Sequence, residues 1–194
     1  MRALMRFVAE KIIARRYPMP KEDHYDPNTL PNLSDRIRLA RKRLTEIDRN
    51  LEIFRVARQT SLIKQFEIRH VSESSEKRAE CAFFYMREHK GFRSIVENLR
   101  KPMEDSIESI QAAIEFLRDV SDGEAKGNVL KELLDRIDYL MPFGDMVKHP
   151  WSMDFYRKDL LDLSNQLNAL KGENGKSKKG RQFTVVDGDG KRRN

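Results

Sequence analysis

Glu67 and His70 lie three residues apart in a stretch of helical periodicity, which sets a carboxylate and an imidazole on one helical face. Bundled di-metal carboxylate sites use this E-x-x-H spacing twice and add a glutamate from each of two further helices. No second E-x-x-H occurs in the 194 residues, so Glu67 and His70 read as a surface pair, with no metal and no cofactor expected. His24 sits between Asp23 and Tyr25 in a proline-rich stretch and reads as a solvated loop residue. His149 precedes Pro150, which biases it to an extended backbone, and no chemistry is assigned to it. Asp187-Gly188-Asp189-Gly190 resembles the start of a calcium loop, but an EF-hand needs ligands out to a twelfth position and the sequence stops before it.

Cys81 is the only cysteine, so no intrachain disulfide can form and a reducing, intracellular (cytoplasmic) setting is expected. It lacks a neighbouring nucleophile motif and reads as a small buried hydrophobe. The sequence contains no phosphate-binding glycine loop, no nucleophile elbow and no GxGxxG, so no enzyme is expected.

The residue type with the most to offer is cationic. The chain carries 38 Lys and Arg against 31 Asp and Glu, a net charge of +7. The positive residues fall in three blocks: residues 2–16, the cluster Arg36, Arg38, Arg41, Lys42 and Arg43, and a tail with Lys176, Lys178, Lys179, Arg181, Lys191, Arg192 and Arg193. Five cations in the first turns of one helix oppose its dipole, an arrangement that local helix stability disfavours. Phosphate is a candidate reason for it, because neutralising a nucleic-acid backbone releases counterions.

These residues must be held by helices. Charged residues make up 36% and apolar ones 39%, and glycine and proline fall between periodic segments. Residues 1–17 read as a basic amphipathic helix with Leu4, Phe7, Val8 and Ile12 on one side. Three roles are open for it: packing on a bundle, lying on an anionic membrane surface through residues 1–16, or targeting. Residues 18–33 form a proline-rich linker. Residues 34–171 form the bundle domain, and residues 172–194 a disordered basic tail, rich in glycine and cations and with little to bury.

Within the bundle domain, Ile37, Ala40, Leu44, Ile47, Leu51 and Phe54 recur at spacings of three and four, with Ser34 as the expected cap. The apolar stripe continues through Leu62 and Phe66, and the serines of residues 71–76 break it. A segment over residues 76–90 turns Ala79, Ala82, Phe83 and Met86 inward and ends at Gly91. A short helix spans residues 92–100, and Pro102 opens the next, with a seam of Met103, Ile107, Ile110, Ile114 and Leu117. That helix is acidic outside and is expected to lie against the basic one. Another helix covers residues 124–141, and the last, over residues 152–171, has Met153, Tyr156, Leu160, Leu163, Leu167 and Leu170 as its seam.

Two apolar concentrations remain. Phe83, Phe84 and Tyr85 form the densest aromatic run, read as core or as a stacking platform. Residues 141–151, MPFGDMVKHPW, form a hydrophobic loop in which Phe143, Met146 and Trp151 either pack on the bundle end or meet a partner. The expected architecture is all-α, a helical bundle of four to six helices with heptad-like seams that pair within the chain or in a homodimer. The expected function is a non-catalytic interaction protein that binds nucleic acid through its basic helix faces and tail. The alternatives are an adaptor that binds another protein, and a peripheral membrane protein attached by its first helix.

Overall fold

The computed structural model describes residues 32–121 and 123–177, and in them the chain is all-helical, with six helices and no strand. Helix α1 spans Leu33–Arg58, α2 Ser61–Arg69, α3 Ser75–Glu88, α4 Lys90–Arg118, α5 Glu124–Gly144 and α6 Arg157–Ser177. No described helix is long and apolar enough to cross a membrane. The amphipathic segment of residues 1–17, nearly all of the linker and residues 178–194 lie outside the described residues.

The seam of α1 holds as read: Ala40, Leu44, Ile47, Leu51 and Phe54 are buried, and Ile37 packs at the core's edge. Its cap is Asn32, however, not Ser34. The Asn32 side chain accepts from the Asp35 backbone N–H at 2.9 Å and from the Ser34 hydroxyl at 2.7 Å. The helix stops at Arg58, where Thr60 turns extended and its hydroxyl donates to the Ala57 carbonyl at 2.6 Å. Arg58 Nε then reaches Glu67 on α2 at 2.9 Å, so the apolar stripe that reads as continuous is carried by two helices.

Three boundaries differ from expectation, two of them for one reason. Residues 92–100 and the segment after Pro102 form a single helix, α4, that also runs through Gly91. Proline in a helix interior costs about 3 kcal/mol. The alternative is to break a continuous face on which Phe92, Ile95, Val96 and Leu99 join Met103, Ile110 and Ile114. Burying each of those first four side chains contributes roughly 1.5–3 kcal/mol, so packing wins. The amide that Pro102 lacks would have served the carbonyl of Asn98, an exposed residue. The same holds in α5, which continues through Pro142 to Gly144, the carbonyl left over being that of exposed Asp138. At the other end of the molecule α6 runs past Gly172 to Ser177, so the first residues of the expected tail are helical.

Helices α1 and α4 form the central antiparallel pair. Arg36 meets Asp119 at one end, at 2.6 Å, and Ser109 donates to Glu46 further along, at 3.3 Å. The acidic helix does lie on the basic one. Helix α5 lies parallel to α1, with Arg136 on Asp48 at 3.0 Å and the Phe143 ring 4.9 Å from that of Phe54. Helix α6 folds back along α5. Gly144 permits the turn: a Cβ there would come within 2.9 Å of Leu160 Cδ1 and 3.1 Å of the Arg157 backbone nitrogen. Its buried residues Leu160, Leu163, Leu167 and Leu170 complete the core. Both long seams are therefore buried within one chain. Helices α2 and α3 close the far end against the first half of α4.

Candidate docking surface

The basic cluster of α1 is largely matched by acids of the same chain. Arg36, with its side chain only 15% exposed, is held by Asp119. Arg38 faces Asp35 at 3.4 Å, and Arg43 meets Glu46 at 2.7 Å. Arg41 is exposed and Lys42 half-exposed, and neither forms an ion pair with another described residue. Lys176 lies in the last turn of α6, while Lys178, Lys179, Arg181, Lys191, Arg192 and Arg193 lie outside the described residues. Residues 32–177 hold 26 Lys and Arg against 25 Asp and Glu. The body of the bundle is thus nearly neutral, and most of the excess charge belongs to the chain ends. Helix α1 starts and α6 finishes at the same pole of the bundle. An open groove of about 550 Å³ between α1 and α4 is lined by Arg43, Arg49, Glu46, Asp105 and Glu108. The two signs of charge face each other there.

The apolar candidates separate sharply. Phe143 and Met146 are 0% and 1% exposed, so the expectation that they meet a partner is corrected: their side chains are committed to the core. Trp151 is 96% exposed. The difference arises because α5 carries Phe143 inward for one more turn, and the chain then forms a tight hairpin over residues 147–156. Lys148 pairs with Phe155 in an antiparallel bridge, Tyr156 N–H donates to the Val147 carbonyl at 3.2 Å, and His149 N–H to the Asp154 carbonyl at 3.1 Å. Trp151 stands at the tip. Met153, read as the first residue of the α6 seam, is exposed on the same tip, because Ser152 caps the turn by accepting from the Asp154 N–H at 2.9 Å.

This hairpin meets the aromatic run of α3. Lys148 Nζ lies 5.1 Å over the Phe83 ring and 3.1 Å from Met153 Sδ. Phe83 is edge-on to Phe84, with ring centroids 5.9 Å apart, and Phe84 is 53% exposed. Tyr85 turns the other way, into contact with Phe66 and Phe92. Phe83, Lys148 and Met153 thus meet although they come from two stretches 64 residues apart in sequence, with Phe84 beside Phe83 and Trp151 two residues before Met153 on the hairpin. Ile68 and Val71 are also exposed, at the end of α2.

The hairpin is rooted in polar contacts. Asp145, 1% exposed, accepts from the Ser75 hydroxyl and pairs with Arg78 at 2.8 Å and Arg157 at 3.3 Å, tying α3 and α6 to the end of α5. Tyr156 donates to Glu104 at 2.6 Å, and its ring lies 3.8 Å from that of His149, whose Nε2 is 2.8 Å from Asp159. Burial first, and then the bond to Glu104, raises the Tyr156 hydroxyl pKa well above its ordinary value, so it stays a donor. These contacts account for the polar groups structurally. Glu67 is taken by Arg58, and the His70 ring packs between Phe66 and Tyr85. Among the described residues no group of His, Cys, Asp and Glu is placed to hold a metal.

Lys148 and Met153 were not singled out as surface from the sequence. A signal for Lys148 was available, since a lysine within an apolar run has to keep its ammonium in water. Nothing local marked Met153, whose spacing fits the α6 seam. No protein-family model, curated protein or solved structure matches the chain.

Proposed function

We propose that the protein is a non-catalytic binding module that docks a protein partner on the surface formed by Phe83 and Phe84 of α3 and by Lys148, Met153 and Trp151 of the hairpin. One observation carries this reading: Met153 and Trp151, two of the six large apolar side chains exposed on the described surface, stand on one hairpin tip, and Lys148 of that hairpin lies over Phe83, next to exposed Phe84. Tryptophan in such a position is the residue type that most often dominates an interface. Trp151 is the sole tryptophan, so its emission reports on its own surface. Peptides selected from a displayed random library on the full chain are expected to shift that emission to the blue. Phe84→Ala is expected to weaken them at least about tenfold, as for an interface anchor. Selected peptides that leave the emission and the Phe84→Ala affinity unchanged would remove the reading.

A second reading, nucleic-acid binding, rests on Arg41 and Lys42, which no acid of the described residues matches, and on the cations outside residues 32–177. The near-neutral body makes it depend on the ends. Binding to DNA or RNA is expected to weaken steeply between about 50 and about 200 mM salt, and removing residues 178–194 is expected to flatten that slope. An unchanged slope in the shortened chain would count against it.

A further inference from the structure

We infer that the partner presents a carboxylate to Lys148, flanked by apolar side chains that cover Trp151 and Met153. The inference rests on the docking reading above and specifies the chemistry of the occupant.

Lys148 is the cation at the centre of the apolar surface, and no carboxylate of the described residues lies within ion-pair distance of it. Its ammonium has only the Phe83 ring and the Met153 sulfur beside it. Asp154, the acid nearest along the hairpin, accepts from the Ser152 hydroxyl at 3.0 Å. Glu80, one turn before Phe83 and Phe84, forms no ion pair with Lys148. Arg36, Arg43, Arg58, Arg78, Lys101 and Arg136, by contrast, have acids of the same chain.

The position of Lys148 is also fixed. Its backbone pairs with Phe155, and its carbonyl accepts from Arg100 Nε at 3.2 Å. Any partner that covers Met153 and Phe84 must take water away from this ammonium. Removing an unmatched charge from water is strongly unfavourable, whereas a carboxylate would replace the lost water with a charge-assisted hydrogen bond. Arg87, exposed one turn beyond Phe83 and Phe84 and without an ion pair among the described residues, extends the same preference to the edge of the surface. The occupant that fits is a peptide segment with an aspartate or glutamate between aromatic or aliphatic residues. A single-stranded nucleic acid, with bases on Trp151 and phosphate on Lys148, is favoured less, because the bundle around the surface has almost no net charge.

The test uses the full chain and the peptides that shift Trp151 emission. Each is synthesised twice, with its acidic residue as Glu or as Gln. The wild-type protein is expected to bind the Glu form at least about tenfold more tightly, since a hydrogen bond to a charged group is worth more than one decade in affinity. Lys148→Met, at a half-exposed position that does not threaten the fold, is expected to bind both forms equally. Lys148→Glu is expected to reverse the preference. Equal binding of the two forms by the wild type overturns the carboxylate inference and leaves the docking surface standing. A library that yields no peptide dependent on Trp151 overturns both. Oligothymidylate that quenches Trp151 and competes with the peptides overturns the inference in favour of nucleic acid.

Discussion

Asp145→Ala is expected to lower the stability of the fold by about 2–4 kcal/mol. Removing one partner of a buried ion pair costs about 3–5 kcal/mol, because the other charge is left desolvated and unmatched. Asp145 is 1% exposed and serves Ser75, Arg78 and Arg157 together. Its two arginines are 28% and 32% exposed and can turn partly to water, which places the expected value at the lower end of that range. For a chain of this size, about 3 kcal/mol corresponds to a fall in Tm of roughly 6–12 °C. Urea unfolding followed by circular dichroism measures it. Asp145→Asn, which keeps an acceptor for Ser75 and loses the charge, is expected to fall between the wild type and Asp145→Ala. A loss under about 1 kcal/mol for Asp145→Ala would mean that α3 and α6 are held to α5 by packing alone.

Phe143→Ala is expected to cost about 3–5 kcal/mol, the usual range for emptying a buried phenylalanine site. The ring is fully buried against Phe54 and lies under the Arg58 guanidinium, 5.5 Å away, so its loss leaves a cavity where α1 and α5 meet. Trp151→Ala, eight residues further on, is expected to change stability by no more than about 0.5 kcal/mol, as for a surface residue without partners. The comparison matters because the two aromatics stand in the same apolar stretch of sequence. Equal costs for the two would contradict the hairpin that separates them. The outcome also bears on function. Trp151→Ala removes a docking residue from an intact fold, whereas a binding defect in Phe143→Ala would report only on unfolding.

The seams of α1, α4 and, from Tyr156 onward, α6 were legible because helical burial is periodic. Ala40, Leu44, Ile47, Leu51 and Phe54 recur at the spacing that a helix converts into one face, and that face is buried. The pairing of a basic helix with an acidic one was legible for a similar reason, since opposite charges on two long helices find each other at Arg36 and Asp119. Helix ends were less legible. Pro102, Pro142, Gly91 and Gly172 are local stop signals, yet each lies inside a helix. At Pro102 and Pro142, the continuous apolar face outweighs the local preference by several kcal/mol.

The candidate site was legible only in pieces. Residue types alone marked Phe83, Phe84 and Trp151 as apolar beyond what a polar surface requires, and marked Arg36, Arg38 and Arg43 as an excess of charge. Which aromatic residue ends up in water, and which arginine finds an acid, depends on residues far away in sequence. Phe143 is buried because Phe54 of α1 lies opposite it, and Trp151 is exposed because the bridge between Lys148 and Phe155 turns the chain outward. Arg36 has an acid partner because Asp119, 83 residues on, is brought against it. Periodicity is a property of neighbours along the chain and survives in the sequence. Exposure and ion pairing are properties of neighbours in space, and the packing of α1, α3, α4 and α5 decides them.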